Sequence, residues 1–253
     1  MYKICFVIPY YNHPKTIINL VEILKPFGLS IVIVNDGSNE ESSLMLEQLN
    51  ANVIVGDIEL MPHSQVYILN RTQNGGKGAA LKDGFKMAKK MGFSHIFQID
   101  ADMQHDLSKI QSFLDVSKKN QSFIVCAEPV YDENAPKSRL YGRKITDFWV
   151  YINTLGGDIR DSMCGMRIYP VDAVFDLLKA CGNRMDFDID ILLYAFKNDI
   201  GFIWIKVGVK YETSVSHFKV FRDNMLISFT HAKHFFLLPS LIYKRVVYGR
   251  KMV

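Results

Sequence analysis

Within Ile96-Phe-Gln-Ile-Asp-Ala-Asp-Met-Gln-His105, large apolar residues give way to two acids one residue apart, then an amide and an imidazole. Such a run predicts a buried strand whose C-terminal end delivers oxygen ligands into a crevice, where open α/β sheets bind ligands. In an extended segment residues i and i+2 point the same way, so Asp100 and Asp102 can face one ion. Two carboxylates that close repel unless a cation lies between them, and a hard divalent cation carrying its own phosphate oxygens supplies that charge. A phosphate-bearing substrate is therefore expected. Acid-rich strand ends are also common as solvated turns, so the pair alone leaves both readings open.

Other strand ends carry chemistry too. Asp36 follows the apolar run Leu29-Ser-Ile-Val-Ile-Val34, where its carboxylate can accept hydrogen bonds from a base or ribose, or cap a helix beginning near Ser42. Tyr10 or Tyr11, leaving the first strand, can stack on a base or belong to the core. In Asn70-Arg-Thr-Gln-Asn-Gly-Gly-Lys-Gly-Ala79, Gly75, Gly76 and Gly78 permit close backbone approach to a ligand, and Arg71 and Lys77 bring positive charge. That loop suggests a phosphate grip but lacks P-loop spacing, and a purely structural glycine loop is the alternative. No Gly-x-Gly-x-x-Gly follows the first strand, which disfavours the usual dinucleotide fold.

The elements that must position these residues alternate. A strand at Lys3–Ile8, a loop from Pro9 to Pro14, a helix over Lys15–Lys25 and a strand at Leu29–Val34 make a βαβ unit and predict a parallel sheet. A short helix at Leu44–Leu49, an edge strand at Asn52–Val55, a strand at Val66–Leu69 and a helix through Lys90 follow. Beyond the acidic strand come a helix at Leu107–Val116, a strand at Ser122–Ala127 and a polar loop from Glu128 to Pro136 beside the site. A helix over Lys137–Leu155 carries Tyr141, Ile145, Phe148, Ile152 and Leu155 on one side. Pro170 starts a helix to Leu178, the acids of Phe187-Asp-Ile-Asp190 open another to Lys197, and Phe202–Val209 is a late strand.

The final part differs. Met225–Leu238 has helical character with polar residues scattered round it. Phe235–Tyr243 is very apolar, broken by Pro239 and followed by Lys244, Arg245, Arg250 and Lys251. A short apolar segment with a basic trailer predicts an interfacial anchor on an anionic membrane; packing against the domain or a second subunit, a homo-oligomer, is the alternative. The organisation expected is a catalytic domain over residues 1–215 and a helical tail over 216–253.

The 253 residues carry a net charge of +4, too mild for a nucleic-acid surface, and the 22% charged fraction argues against disorder. Cys5, Cys126, Cys164 and Cys181 lie far apart and fit reduced core thiols in a cytoplasmic protein. Pro9 cuts short the first apolar run, so no secretory leader is expected, and no window of about 20 residues is apolar throughout, so neither is a spanning helix.

Five segments, Ile8-Pro-Tyr-Tyr-Asn12, Asn35-Asp-Gly-Ser38, Asn74-Gly-Gly-Lys-Gly-Ala-Ala80, Asp100-Ala-Asp-Met-Gln-His105 and Asp161-Ser-Met-Cys-Gly-Met-Arg167, recur in the order of the inverting glycosyltransferases of family 2. The chain resembles most the branch of dolichyl- and polyprenyl-phosphate sugar synthases. Ser216-His-Phe218 with Arg222-Asp223 is similar to relatives that decorate bacterial acyl lipids or aryl polyenes. The resemblance implies an α/β GT-A fold, a Rossmann-like mixed central sheet flanked by helices, with the C-terminal tail appended. It implies a nucleotide-diphosphate sugar donor bound around Pro9, Tyr10, Tyr11, Asn12, Asp36, Arg71, Gly75, Lys77, Asp100, Ala101 and Arg167. Mg²⁺ or Mn²⁺ would be held by Asp100, Asp102 and Gln104. A lipid-linked acceptor would be met on the cytoplasmic face of the cell membrane. Asn35 departs from the family's usual aspartate, which leaves the base of the donor open.

Acceptor chemistry divides the reading. A phosphate acceptor is already an anionic nucleophile, whereas a hydroxyl must lose a proton to a positioned base. Asp161, favoured, Asp190 and His217 are the candidates for that base. A sugar nucleotidyltransferase would want a glycine-rich, arginine-containing loop after the first strand, which Pro9-Tyr-Tyr-Asn-His13 is not. Outside enzymes, a peripheral membrane scaffold is the competing class.

Overall fold

A computed structural model describes residues 1–49, 51–54, 66–131, 137–210 and 219–248. Eight strands form one sheet: β1 (Ile4–Tyr10), β2 (Ser30–Asn35), β3 (Asn52–Ile54), β4 (Val66–Asn70), β5 (His95–Gln98), β6 (Ile124–Tyr131), β7 (Arg167–Pro170) and β8 (Phe202–Val209). Their order is β3-β4-β2-β1-β5-β7-β6-β8. β1 to β5 pair parallel with one another, and β7 is antiparallel to both β5 and β6. β1 and β2 lie at the centre with helices on both faces, which is why they read as continuous apolar runs. Successive side chains alternate between two cores: Cys5 and Val7 pack to one side with Phe85 and Phe187, Phe6 and Ile8 to the other with Leu20 and Phe113.

The helices are α1 (Ile17–Leu24), α2 (Glu40–Glu47), α3 (Lys77–Lys90), α4 (Ile110–Lys119), α5 (Lys137–Asn153), the single turn α6 (Val171–Val174), α7 (Phe187–Lys197), α8 (Val220–Phe236) and α9 (Leu238–Tyr248). α2 begins before the expected Leu44 because Asn39 caps it, its side chain accepting from the Ser42 N–H at 3.0 Å. Pro9, expected in a loop, is a β1 residue opposite Val34. All four cysteines are buried free thiols.

Of the apolar side expected on α5, Tyr141, Ile145 and Phe148 are exposed whereas Ile152 and Leu155 pack against the core, and Thr146, Val150, Asn153 and Thr154 turn inward. α8 packs on α5 and α7. Its Ile227, with Leu238 and Leu241 of α9, joins the main core, and its outer face leaves Phe221, Phe229 and Phe236 exposed. Phe221–Tyr243 is long and apolar enough by length and composition to cross a membrane, contrary to the sequence expectation. The same stretch is tied to the domain by buried polar contacts. Lys233 Nζ and His234 Nε2 lie 2.7 and 2.8 Å from Asp190 Oδ1, and Asn153 donates to the His231 carbonyl at 3.2 Å.

Burial holds the His231 imidazole down at about 4 and lowers His234 as well. Both folded values lie below the unfolded one near about 6.5, so acid protonates the unfolded chain first. Their contribution to stability is complete above that unfolded value and declines as pH falls towards 4. The melting temperature is therefore expected to drop between pH 7 and 5, and His231→Phe, which keeps an aromatic ring against Trp149, should flatten that slope. An unchanged slope would remove His231 from the account.

Candidate active site

The register aligns the carboxyl ends of β1, β2 and β4. Tyr10 lies opposite Asn35 and Asn35 opposite Asn70, so Asp36, Arg71 and the segment after β5 meet at one crevice. Asp36 is buried and accepts the Gly75 and Gly76 N–H groups at 2.9 and 2.7 Å, with Arg71 Nε at 2.9 Å. Burial pushes its carboxyl up, and the two amides and Arg71 offset only part of that. Asp36 therefore holds the glycine loop and caps no helix. The phosphate-grip expectation is corrected in the same way, because the loop's first amides point at Asp36 and Arg71 is tied to Asp36 and Asp83.

The glycines admit protein backbone instead. A Cβ on Gly76, at φ +101°, would lie 2.7 Å from the Asn183 carbonyl, and one on Gly78 2.7 Å from that of Gly182. The Ala79 N–H donates to Asn183 at 2.8 Å, and Arg184 reaches Asn74 at 3.3 Å. Lys77 crosses the crevice. Its Nζ lies 2.8 Å from Asp100 Oδ1 and 2.7 Å from Asp188 Oδ2, with only 12% of the side chain exposed. Burial opposes the charge on Asp100, but Lys77, with His105 and Arg167, outweighs it and holds that carboxyl below its ordinary range.

β5 ends at Gln98, and Ala101 and Asp102 form a turn rather than an extended segment. The turn is fastened by Thr16 donating to the Ala101 carbonyl at 2.6 Å and by Gln104 N–H donating to Asp102 Oδ1 at 3.1 Å, with Met103 at φ +57°. Gly165 lies against Asp100 so closely that a Cβ would meet Oδ2 at 2.1 Å, and the loop before β7 thus walls the acids. His105 continues that wall, its Nε2 3.0 Å from Cys164 Sγ.

Among the described residues no group of three or more carboxylates, imidazoles and thiolates could hold a metal alone. A turn offering Asp100, Asp102 and the Gln104 amide fits a hard cation that brings phosphate oxygens with it and fits no self-sufficient protein cage.

Several expected residues take other places. Tyr10 is fully buried, its hydroxyl donating to the Ser42 carbonyl at 2.9 Å, so it is core and cannot stack on a base. Tyr11 is half-buried, and Asn12, at φ +53°, accepts the Asn39 N–H at 2.8 Å and so ties the first two strand-end loops. Arg167 is fully buried beneath the crevice, donating to the Asp188 carbonyl at 2.7 Å and to the Tyr169 hydroxyl, so it supports the floor instead of touching a diphosphate. Asp161 has both oxygens committed, one to the Met163 and Cys164 N–H groups and the other to Arg143. Asp190 is fully buried under α8, held by Lys233, His234 and the Gly182 N–H. His217 lies outside the described residues.

Asp188 is the residue the sequence reading passed over. It is buried, joins Lys77 to Arg167 at 3.9 Å, and accepts from Gln98 Nε2 at 3.1 Å. The available signal was an acid two residues before Asp190 in the first turn of α7.

Known proteins share sequence similarity and architecture with this chain. The chain is 26% identical over 222 residues to the dolichyl-phosphate beta-glucosyltransferase of Dictyostelium discoideum, a match covering 81% of this chain and 64% of that one. It is 28% identical to the UDP-N-acetylglucosamine--dolichyl-phosphate N-acetylglucosaminyltransferase of Methanococcus voltae, over 80% of this chain and 84% of that one. The glucosyl-3-phosphoglycerate synthase of Mycobacterium tuberculosis, solved with uridine diphosphate, superposes with a TM-score of 0.67 at 13% identity, covering 92% of this chain and 80% of that one. That enzyme has also been solved with Mn²⁺, UDP-glucose and phosphoglyceric acid. The fold is the GT-A arrangement that the motifs imply. The model of glycosyl transferase family 2 matches residues 5–177, and the chain belongs to that family.

Proposed function

We propose that this protein transfers a sugar, with inversion, from a nucleotide-diphosphate sugar to a lipid-linked acceptor at the cytoplasmic surface of a membrane. The observation that carries the reading is the Asp100–Asp102 turn, held by Lys77 at the mouth of the Asp36 crevice. Asp100, Asp102 and Gln104 would hold Mn²⁺ or Mg²⁺, which supplies positive charge for the departing diphosphate. The mycobacterial enzyme's complexes with Mn²⁺ and UDP-glucose support that choice. Asp36 and Arg71 fix the loop that closes the donor side, Lys77 aligns Asp100, and Arg167 and Asp188 brace Lys77 from below.

The names of the relatives, which act on dolichyl phosphate, support a lipid-linked acceptor. So does the surface: Tyr141 and Phe148 of α5 and Phe221 and Phe236 of α8, on helices packed against each other, are exposed aromatic side chains. Those same relatives favour a second reading, in which an acceptor phosphate is itself the nucleophile.

Two measurements test the proposal. Titration with nucleoside diphosphates should show binding strengthened by Mn²⁺, and metal-indifferent or absent binding would return the protein to the scaffold class. Flotation with anionic liposomes should weaken on replacing Phe221, Phe229 and Phe236 with serine, and weaken further at high salt, which screens the basic residues. Cutting the chain at Asp223 is not a clean comparison, because it strips Lys233 and His234 from Asp190. Equal flotation of the substituted and parent chains would remove the α8 face as anchor.

A further inference from the structure

We infer that Asp147, on the inward stripe of α5, is the base that takes the proton from the acceptor, and that the acceptor atom is therefore a hydroxyl oxygen. This deepens the transfer reading above and rests on it. Among the described residues, the other carboxylates at the crevice and in the loop before β7 are engaged. Asp36 holds two amides, Asp100 and Asp188 share Lys77, Asp102 accepts from Gln104, Asp161 fastens its own loop and Arg143, and Asp190 is sealed under α8.

Asp147 makes no hydrogen bond or ion pair among the described residues, yet it is only part-exposed. Arg143, one turn before it, is bonded to Asp161 and lies 5.1 Å over the Tyr131 ring, while still acting on Asp147 through space. The Asp161 loop reaches the metal-side acids directly through Gly165 against Asp100 and Cys164 against His105. Asp147 thus lies one helical turn from the residue that fastens this loop and within electrostatic reach of Asp161, while Tyr141, Ile145 and Phe148 on the outer side of the same helix suit an apolar tail.

Charge selects the acceptor. Among the described residues, two carboxylates, Asp147 and Asp161, share the Arg143 guanidinium around this point, an arrangement that opposes a phosphate and leaves a neutral hydroxyl unopposed. Burial, reinforced by Asp161 and opposed by Arg143, pushes the Asp147 carboxyl up to about 6, a range suited to a general base at neutral pH. α8, packed on the same helix, brings His231, kept neutral by burial, and Asp223, whose carboxylate accepts from the Lys219 N–H. In the step, the acceptor oxygen bonds to the anomeric carbon as the bond from that carbon to the diphosphate oxygen breaks. Its electron pair leaves with the diphosphate, and the hydroxyl proton passes to the Asp147 carboxylate and then to water.

Asp147→Asn and Asp147→Glu, in the full chain, test this with three acceptors: water, read as donor hydrolysis, farnesol in micelles, and farnesyl phosphate. For the hydroxyl acceptors the parent enzyme's kcat/KM should rise with pH through about 6. Asp147→Asn should lower it by about 100-fold or more and erase that limb, with Asp147→Glu restoring part of the rate. Binding of uridine diphosphate should be unchanged in both. An Asn variant within a few-fold of the parent on water and farnesol, or one that keeps the limb, overturns the assignment. Transfer by the parent to farnesyl phosphate alone, unaffected by Asp147→Asn, overturns the hydroxyl acceptor. A parent chain that consumes no nucleotide sugar at all would instead overturn the transfer reading beneath it, a result recognisable without any variant.

Discussion

Alanine at position 102 is expected to leave a folded protein with almost no turnover. Asp102 lies half-exposed in the turn after β5, where its carboxylate accepts from the Gln104 N–H. Loss of such a bond costs about 0.5–1.5 kcal/mol, a shift of a few degrees in melting temperature at most for a chain of this size. Its loss as a ligand removes charge stabilisation of the leaving diphosphate, worth about 10²–10³ in turnover when one such group is deleted. Melting and turnover measured side by side decide the matter. A variant that turns over at the parent rate in the presence of chelator would end the metal role of this turn.

Lys77→Met is expected to have the largest effect on stability. It leaves Asp100 and Asp188 facing one another in a nearly closed site without the ammonium that sits 2.8 and 2.7 Å from them. Removing one partner from a buried charged group costs about 3–5 kcal/mol, because the remaining charges lose compensation. A divalent cation entering beside Asp100 should replace part of that charge, so Mn²⁺ with uridine diphosphate is expected to raise the variant's melting temperature more than the parent's. Equal gains in the two proteins would show that Lys77 and the metal do not share Asp100.

The parallel half of the sheet was legible because β1, β2 and β4 are apolar runs, each closed by polar strand-end residues. β7 was not, since it opens on Arg167 and offers no alternation, and its pairing with β5 is long-range in sequence. On α5 the period gave an apolar side but could not say which way it turned. Here Arg143, Thr146 and Val150 face the domain and the aromatic stripe faces out. Among the acids around the crevice, Asp100 was placed there by its strand, whereas Asp188 and Asp190 looked like equivalent helix-opening acids. Residues two apart on a helix point about 200° apart, and only the packing shows that one faces Lys77 and the other α8.

The sealing of Asp190 by Lys233 and His234, 43 and 44 residues later, fixes an order of events during synthesis. At about 5–20 residues per second, α7 leaves the ribosome some seconds before Lys233, the cation that neutralises Asp190, and His234, which hydrogen-bonds it. Until they arrive, Asp190 cannot be buried as an ion without cost, and the helix that places Asp188 against Lys77 cannot settle. The donor crevice is therefore completed only when α8 has docked, and the aromatic face that α8 carries outward is presented by a molecule whose crevice is already closed behind it. Nascent chains halted before residue 233 should accordingly be protease-sensitive across α7, while those extended past 234 and clear of the exit tunnel should resist.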